Sequence, residues 1–242
     1  MGRGPSIENR KGAEDSRRAK LFTKLIREVT VAARGGSDPA GNARLRMAID
    51  KALGCNMSKD TIERAVKRGS GELAGAHLEE VRYEGYGPGG VAILVECMTD
   101  NSTRTVSEVR HAFTKFSGHL GAAGSVSYLF QRIGVIAFDT GGDVKLGEKI
   151  LEAALEAGAE DVLTPEQTRT EVITRPDDLE KVRQALMAAG MKPAQADITL
   201  RPGIRVPVAG EQAETVRELL ERLEDLDDVQ HVHTNAELPA GA

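Results

Sequence analysis

The sequence predicts an α+β protein with an N-terminal three-helix domain, followed by two α/β domains of which the last is inserted into the middle one. Three observations support this fold class. Apolar residues recur at helical spacing up to Arg68, strand-like alternation begins near Val81, and the later order of strands and helices predicts the insertion. At 242 residues, the chain is long enough for two or three compact domains.

Charge is divided unevenly along the chain. Up to His77 there are 16 Lys/Arg and 9 Asp/Glu, a net charge of +7, whereas from Leu78 onward there are 16 and 28, a net charge of −12. A phosphate backbone attracts the first part and repels the second. This asymmetry favours a nucleic-acid-binding protein over a protein whose surface charge is merely uneven.

The first predicted helix, over 15–34, carries a stripe of basic residues. Its apolar positions are Phe22, Leu25, Ile26, Val29 and Ala33. At roughly 100° per residue, six basic positions fall within about 120° of arc on another side of the helix. This basic stripe consists of Arg10, which joins it only if the helix begins that early, and Arg17, Lys20, Lys24, Arg27 and Arg34. Few carboxylates are spaced to pair with it. A self-repelling, unpaired stripe needs a partner, and we expect a nucleic acid.

Two further helices complete the predicted N-terminal domain. Asp38-Pro39 predicts the start of the second, whose apolar face lies within 43–53. Ser58 caps the third, over 59–68, and the segment 69–76 is rich in Gly and Ala, as in a bending linker. The predicted nucleic-acid-binding residues are Arg10, Lys11, Arg17, Arg18, Lys20, Lys24, Arg27, Arg34, Arg44, Arg46, Lys59, Arg64, Lys67 and Arg68.

The next unit is predicted to begin with a β-hairpin. Its elements are strands over 81–86 and 91–99 joined by a Gly-Pro-Gly-Gly turn, a helix over 103–116 capped by Asn101, and a strand over 125–130. This unit has strands but only one helix. A helix over 211–224 and a strand over 229–234, near the C-terminus, are expected to complete it.

Between these parts, a second unit begins at Ile133. It is predicted to have strands over 134–138, 159–163, 170–174 and 196–201, and helices over 144–157 and 177–189 that end at Gly158 and Gly190. The order strand-helix-strand-strand-helix-strand is the ferredoxin-like pattern. We therefore predict a helical domain over 1–76, a discontinuous α/β domain over 77–131 and 203–242, and an inserted ferredoxin-like domain over 132–202.

Several motifs give the chain a strong family resemblance. They are Phe22 to Glu28, Asn56 to Ala65, the glycine-rich Tyr83 to Gly90, Thr99-Asp100-Asn101, Arg104 to Phe113, Gly124 to Phe130, Leu226 to Gln230 and Asn235-Ala236-Glu237. In this order the chain resembles the YebC family of bacterial regulators, whose mitochondrial relatives activate translation. One departure is the N-terminus, Met1 to Glu8, which lacks the His-, Lys- and Trp-containing stretch of many members.

The resemblance implies a three-domain protein that acts on gene expression. Family members are described as DNA-binding transcriptional regulators, and some resemble ribosome-associated factors that relieve stalling on proline-rich nascent chains. The resemblance implies no established catalytic activity. The predicted partners are DNA or ribosomal RNA, with ribosomal or transcription proteins as further candidates.

Other chemistry is disfavoured by the residue patterns. The glycines at 85–90 precede a strand and lack a GxxxxGK[ST] motif, so a hairpin turn is favoured over a nucleotide site. His231 and His233 lack accompanying metal ligands, and His111 has no visible nucleophile to activate. Aromatic residues are 3% of the chain, and only Tyr83 and Tyr86 stand out as candidates for exposed base stacking. We therefore predict no enzyme activity, no metal and no cofactor.

Three hypotheses follow from the sequence. The first is a DNA-binding transcriptional regulator that uses the basic N-terminal domain, and the second is a translation factor that binds ribosomal RNA with the same domain. The third, an enzyme or small-molecule sensor, lacks a constellation of polar residues. The run Glu221, Glu224, Asp225, Asp227 and Asp228 is interpreted as a solvated helix end, with phosphate repulsion or a basic protein partner as alternatives. Two unpaired cysteines and no membrane-spanning apolar run indicate a cytoplasmic protein.

Overall fold

The structure, a computed structural model, describes residues 7–75, 77–166 and 168–239, with the backbone alone for 7–14 and 166. In chain order the elements are α1 (Ile7–Ala32), α2 (Ala43–Gly54), α3 (Lys59–Gly69), β1 (Glu79–Tyr86), β2 (Ala92–Thr99), α4 (Ser102–Lys115), β3 (His119–Leu120), β4 (Phe130–Asp139), α5 (Val144–Ala157), β5 (Asp161–Glu166), β6 (Arg169–Thr174), α6 (Leu179–Ala188), β7 (Gln195–Pro202), β8 (Val206–Pro207), α7 (Gly210–Glu224), β9 (Val229–Thr234) and β10 (Ala236–Glu237). The predicted α+β class with a helical N-terminal region is confirmed.

Contacts divide the chain into two units. One runs from the N-terminus to Ser127 and resumes at Val206, and the other is Tyr128–Arg205. The first unit therefore groups the predicted helical domain with the discontinuous one, while the predicted boundaries 132 and 202 lie a few residues inside the second unit. In the first unit, we call α1 to α3 the head, and the sheet with α4 and α7 the body.

The head is a three-helix bundle with a core of its own. Leu25 and Val29 of α1 pack with Leu45 and Ala48 of α2 and with Ile62 of α3. Its second helix begins differently from the prediction. The Asn42 side chain caps α2 by accepting from Leu45 N, whereas Asp38 accepts from Ala40 N two residues along the chain and forms a turn. The predicted cap at Ser58 is confirmed, with Ser58 Oγ accepting from Thr61 N.

The body is a four-stranded antiparallel sheet in the order β3-β1-β2-β9. The predicted hairpin and the returning strand are confirmed, since β2 pairs with β1 on one side and β9 on the other. Apolar residues of α4 and α7 form a second core with this sheet, separate from that of the head. Buried members include Ile93, Val95, Phe113, Val216 and Leu219.

The predicted strand over 125–130 is wrong at its start. Backbone N–H groups of Gly124, Val126 and Ser127 all donate to the buried carboxylate of Glu84, at 2.7–2.8 Å. These donors are therefore directed to a side chain instead of a neighbouring strand, and residues 127–129 form a 3₁₀ turn before β4 begins at Phe130. Although burial alone would raise the pKa of Glu84, these three hydrogen bonds lower it.

The second unit has the predicted ferredoxin-like topology. Its antiparallel sheet has the order β5-β6-β4-β7, and α5 and α6 supply buried side chains such as Ile150 and Leu186. The limits of α5 match the prediction because both ends carry local signals: Asp143 caps its start, and Gly158 ends it at a φ of 94°. No helix within the described ranges has both the length and the apolarity to cross a membrane.

Candidate nucleic-acid interface

The basic stripe of α1 does not face open solvent along its whole length. Lys20 Nζ lies 2.8 Å from Asp225 Oδ1, and Lys24 Nζ donates to the carbonyl oxygen of Glu224 at 3.0 Å. Both acceptors lie where α7 ends, so the lysines lie at the negative end of that helix dipole. The hydrogen bond from Lys20 lowers the pKa of Asp225, and burial lowers that of Lys24.

Arg27 makes the most enclosed contact of the stripe. Its Nη1 donates to the carbonyl oxygens of Asp227 at 2.6 Å and Met98 at 3.0 Å, and lies 2.9 Å from Asp228 Oδ1. The Arg27 side chain is 19% exposed and that of Asp228 only 2%. The expectation that the stripe is unpaired is therefore wrong for Lys20, Lys24 and Arg27. Their partner is the segment 224–228 of the same chain, which the sequence interpretation placed in solvent.

Asp228 is held in the body independently of the head. Its Oδ2 accepts from Arg104 Nη2 and Thr105 Oγ1, each at 2.7 Å, and from Thr99 Oγ1 at 3.1 Å. Burial alone would raise the pKa of Asp228, but the hydrogen bonds from Arg104, Thr105 and Thr99 and the charge of Arg27 lower it. The carboxylate therefore stays ionised while it is almost wholly removed from water.

Four other predicted interface residues have protein contacts of their own. Arg34 Nη1 donates to the carbonyl oxygen of Leu78 at 2.6 Å, and Arg44 forms an ion pair with Glu80 of β1. Arg46 Nη1 donates to the carbonyl oxygen of Pro39 at 2.8 Å, and Lys67 pairs with Glu63 one turn earlier on α3. The contacts of Arg34 and Arg44 form a second link between the head and the chain at the start of β1, with Leu78 just before the strand and Glu80 within it.

The remaining predicted residues are available to a ligand. Among the described side chains, no carboxylate lies within ion-pair distance of these five exposed cations: Arg17, Arg18, Lys59, Arg64 and Arg68. Arg18 lies over the Phe22 ring, 5.2 Å from its centroid. Arg64 and Arg68 are one turn apart on α3 and so share a face. Arg10 and Lys11 fall on α1, but their side chains lie outside the described set.

Exposed aromatic surface differs from the expectation. Tyr83 and Tyr86 are half-buried and donate to the carbonyl oxygens of Ser102 at 3.3 Å and Ser125 at 2.8 Å. Tyr128 of the second unit is instead 75% exposed. The local sequence around these three tyrosines gives no signal for this difference.

The two histidines of β9 lie near each other, and one of them lies near a carboxylate of β2. His233 Nε2 lies 3.1 Å from Glu96 Oε2, which also pairs with Arg82 across the sheet. His231 and His233 ring centroids are 6.1 Å apart. No group of three or more potential ligands for a metal ion is found in the described part of the chain. This cluster is an ion-pair network on a sheet face.

Sequence reasoning missed the residues that receive the head. Asp225 and Asp228 belong to an acidic run in the sequence, but nothing in the sequence links Arg104, Thr105 and Thr99 to them. The available signal was complementarity, because a one-sign basic stripe and a one-sign acidic run occur in the same chain. Some 200 residues separate them, so only the fold brings them together.

Comparisons with known proteins agree with the architecture. Residues 4–72 match the family model described as "TACO1/YebC protein N-terminal domain", and residues 78–236 match "TACO1/YebC second and third domain". A relative from Xanthomonas euvesicatoria pv. vesicatoria is 55% identical over 242 residues and one from Stenotrophomonas maltophilia is 55% identical over 244, with at least 99% of each chain covered. Both are named "Probable transcriptional regulatory protein". The crystal structure of a conserved hypothetical protein from Aquifex aeolicus superposes with a TM-score of 0.86 at 49% identity, covering 94% of this chain and 93% of that one.

Proposed function

This chain belongs to the TACO1/YebC family, and we propose that it is a non-enzymatic, DNA-binding transcriptional regulator that contacts the phosphate backbone through its head. The observation that carries the proposal is the group of exposed, unpaired cations on α1 and α3. Lysine and arginine side chains of this kind neutralise phosphates and release condensed counterions.

The chemistry of α3 favours contacts to phosphate over reading of bases. Its exposed side includes Arg64, Lys67 and Arg68 together with Asp60 and Glu63, and α3 has no Asn or Gln to pair with adenine. Two carboxylates on the same side also reduce the local charge. We therefore expect binding that is strongly dependent on salt and varies little with sequence.

The acidic body has a complementary role in this proposal. The chain from Leu78 onward, which comprises the body and the second unit, has a net charge of −12, and this charge opposes the approach of a phosphate backbone. A protein with one attractive and one repulsive part meets the nucleic acid in a preferred orientation. The body is then directed away from the duplex, where it can contact proteins.

A pair of charge-matched double variants tests the interface. R64A/R68A removes two exposed cations from the head, and R110A/K145A removes two exposed cations from α4 and α5. Fluorescence anisotropy with labelled duplex DNA, repeated across salt concentrations, should show weaker binding for the head variant. Loss of two phosphate contacts reduces the magnitude of the negative slope of log K against log salt by about 1.8 on duplex DNA, or by about 1.4 on single strands.

The same titrations with a ribosomal RNA fragment separate the DNA regulator from the ribosome-bound factor. Tighter binding to duplex DNA at equal salt supports the proposal, and tighter binding to the RNA identifies the translation factor instead. Equal losses for the head and control variants would remove α3 from the interface. Because all four side chains are exposed, circular dichroism melts should match those of the unmodified protein.

A further inference from the structure

We propose that segment 224–228 acts as an internal substitute for phosphate, which holds the basic stripe against the body until nucleic acid displaces it. This inference rests on the proposed function. It assigns a second role to Lys20, Lys24 and Arg27, which would bind the acidic segment in the free protein and phosphates in the complex.

The acidic segment resembles a phosphate backbone in the groups it offers. It presents oxygen acceptors in succession: the carbonyl of Glu224, the carboxylate of Asp225, the carbonyl of Asp227 and the carboxylate of Asp228. Lysine and arginine meet carboxylate and phosphate oxygens with the same donors and similar geometry. A side chain committed to one of these acceptors is unavailable to a phosphate, so the two states compete.

The contact between head and body is built to separate. The head and body have distinct apolar cores, so separation need not open either one. A pocket that is open to solvent lies beside the contact, lined by residues including Ala19, Thr23 and Leu226, so water reaches the edge of the contact. The connection between the two parts contains Gly71 and Gly75, which permit a change of direction.

Separation of the head also breaks the contacts of Arg34 with Leu78 and of Arg44 with Glu80, but it leaves the Asp228 cluster of the body satisfied. Asp228 keeps the hydrogen bonds from Arg104, Thr105 and Thr99, so the buried carboxylate remains satisfied. Asp225 and Lys20 are 64% and 41% exposed at the side chain, so both can be hydrated at once. Arg27 gives up the most, and phosphate oxygens can replace its three acceptors.

Zero-length crosslinking reports the docked state directly. Lys20 Nζ and Asp225 Oδ1 are 2.8 Å apart, so a carbodiimide should join them through an amide in the free protein. The intramolecular product, identified by mass spectrometry of the digested full chain, should fall as duplex DNA is added. Binding is followed by anisotropy in parallel samples under the same conditions.

A matched pair of variants measures the competition. D225A removes the partner of Lys20, and E218A removes another exposed negative charge, from α7. D225A should bind duplex DNA up to about fivefold more tightly than E218A, which is the range for loss of an exposed ion pair. Circular dichroism should show both variants folded.

The outcomes separate this inference from the proposed function. DNA binding with an unchanged Lys20–Asp225 crosslink, and equal affinities for D225A and E218A, would overturn the internal competition and leave the DNA-binding role intact. Absence of binding to DNA and RNA by every variant would overturn both. A falling crosslink together with tighter binding by D225A supports the proposal.

Discussion

Replacing Asp228 with Asn should destabilise the first unit strongly, although the change removes no volume. Oδ2 of Asp228 accepts three hydrogen bonds and Oδ1 faces Arg27, so every neighbour of the carboxylate is a donor. An amide has one acceptor oxygen and one NH₂ group. If the Asn NH₂ group takes the place of Oδ1, Arg27 loses its acceptor. If it takes the place of Oδ2, the donors Arg104, Thr105 and Thr99 lose theirs.

The expected loss in the free energy of unfolding follows from the burial and the charge of Asp228. Hydrogen bonds to charged groups contribute about 1.5–3 kcal/mol each, and removal of one partner from a buried ion pair costs about 3–5 kcal/mol. Arg104 is 44% exposed and can turn to water, which places the expected loss near the lower end, at about 3 kcal/mol. Urea denaturation followed by far-ultraviolet circular dichroism measures it.

Asp227→Asn is the matched control. Asp227 is adjacent, exposed and carries the same charge, but it contacts Arg27 through its backbone carbonyl, which the substitution leaves in place. We expect its free energy of unfolding to change by less than about 0.5 kcal/mol. If the two variants unfold at the same urea concentration, the Asp228 cluster does not stabilise the fold as argued.

Two further predictions concern the sheet and the head. Burial alone would raise the pKa of Glu96, but its hydrogen bond with His233 and the charges of His233 and Arg82 lower it from 4.5 to about 2. The ionised Glu96 therefore stabilises the fold fully above about pH 4.5, and this stabilisation is lost as the pH falls towards 2. In urea titrations over that pH window, the free energy of unfolding of the unmodified protein should fall by on the order of 3 kcal/mol more than that of E96Q. Parallel plots of unfolding free energy against pH for the two proteins would contradict this. In the head, G69A places a Cβ 2.1 Å from the Thr30 carbonyl oxygen and should lower the free energy of unfolding by about 1–3 kcal/mol. The control G54A places a Cβ where no atom lies within 4 Å, so its melting temperature should be unchanged or higher. Similar melting temperatures for the two would refute close packing of α1 on α3.

The elements predicted best are those whose signals lie within a few residues. Asn101 caps α4 by accepting from Arg104 N, Asp143 caps α5, and β9 spans the predicted 229–234. Helix caps, glycines that end helices and the spacing of apolar residues act over one or two turns, so they can be recognised from the local sequence. The family membership follows for the same reason, since its motifs are contiguous.

The α+β class, the charge division and the presence of cationic helices can all be inferred from the sequence alone. Which groups those cations contact depends on how the chain folds. The carboxylate of Glu84 accepts hydrogen bonds from backbone N–H groups some 40 residues later in the chain, where a strand is predicted to start. The segment 224–228 contacts Lys20 and Lys24, which lie about 200 residues earlier in the chain. The reason is physical: an ionised side chain takes whichever partner the fold brings within about 3 Å, and that choice depends on how separate elements pack.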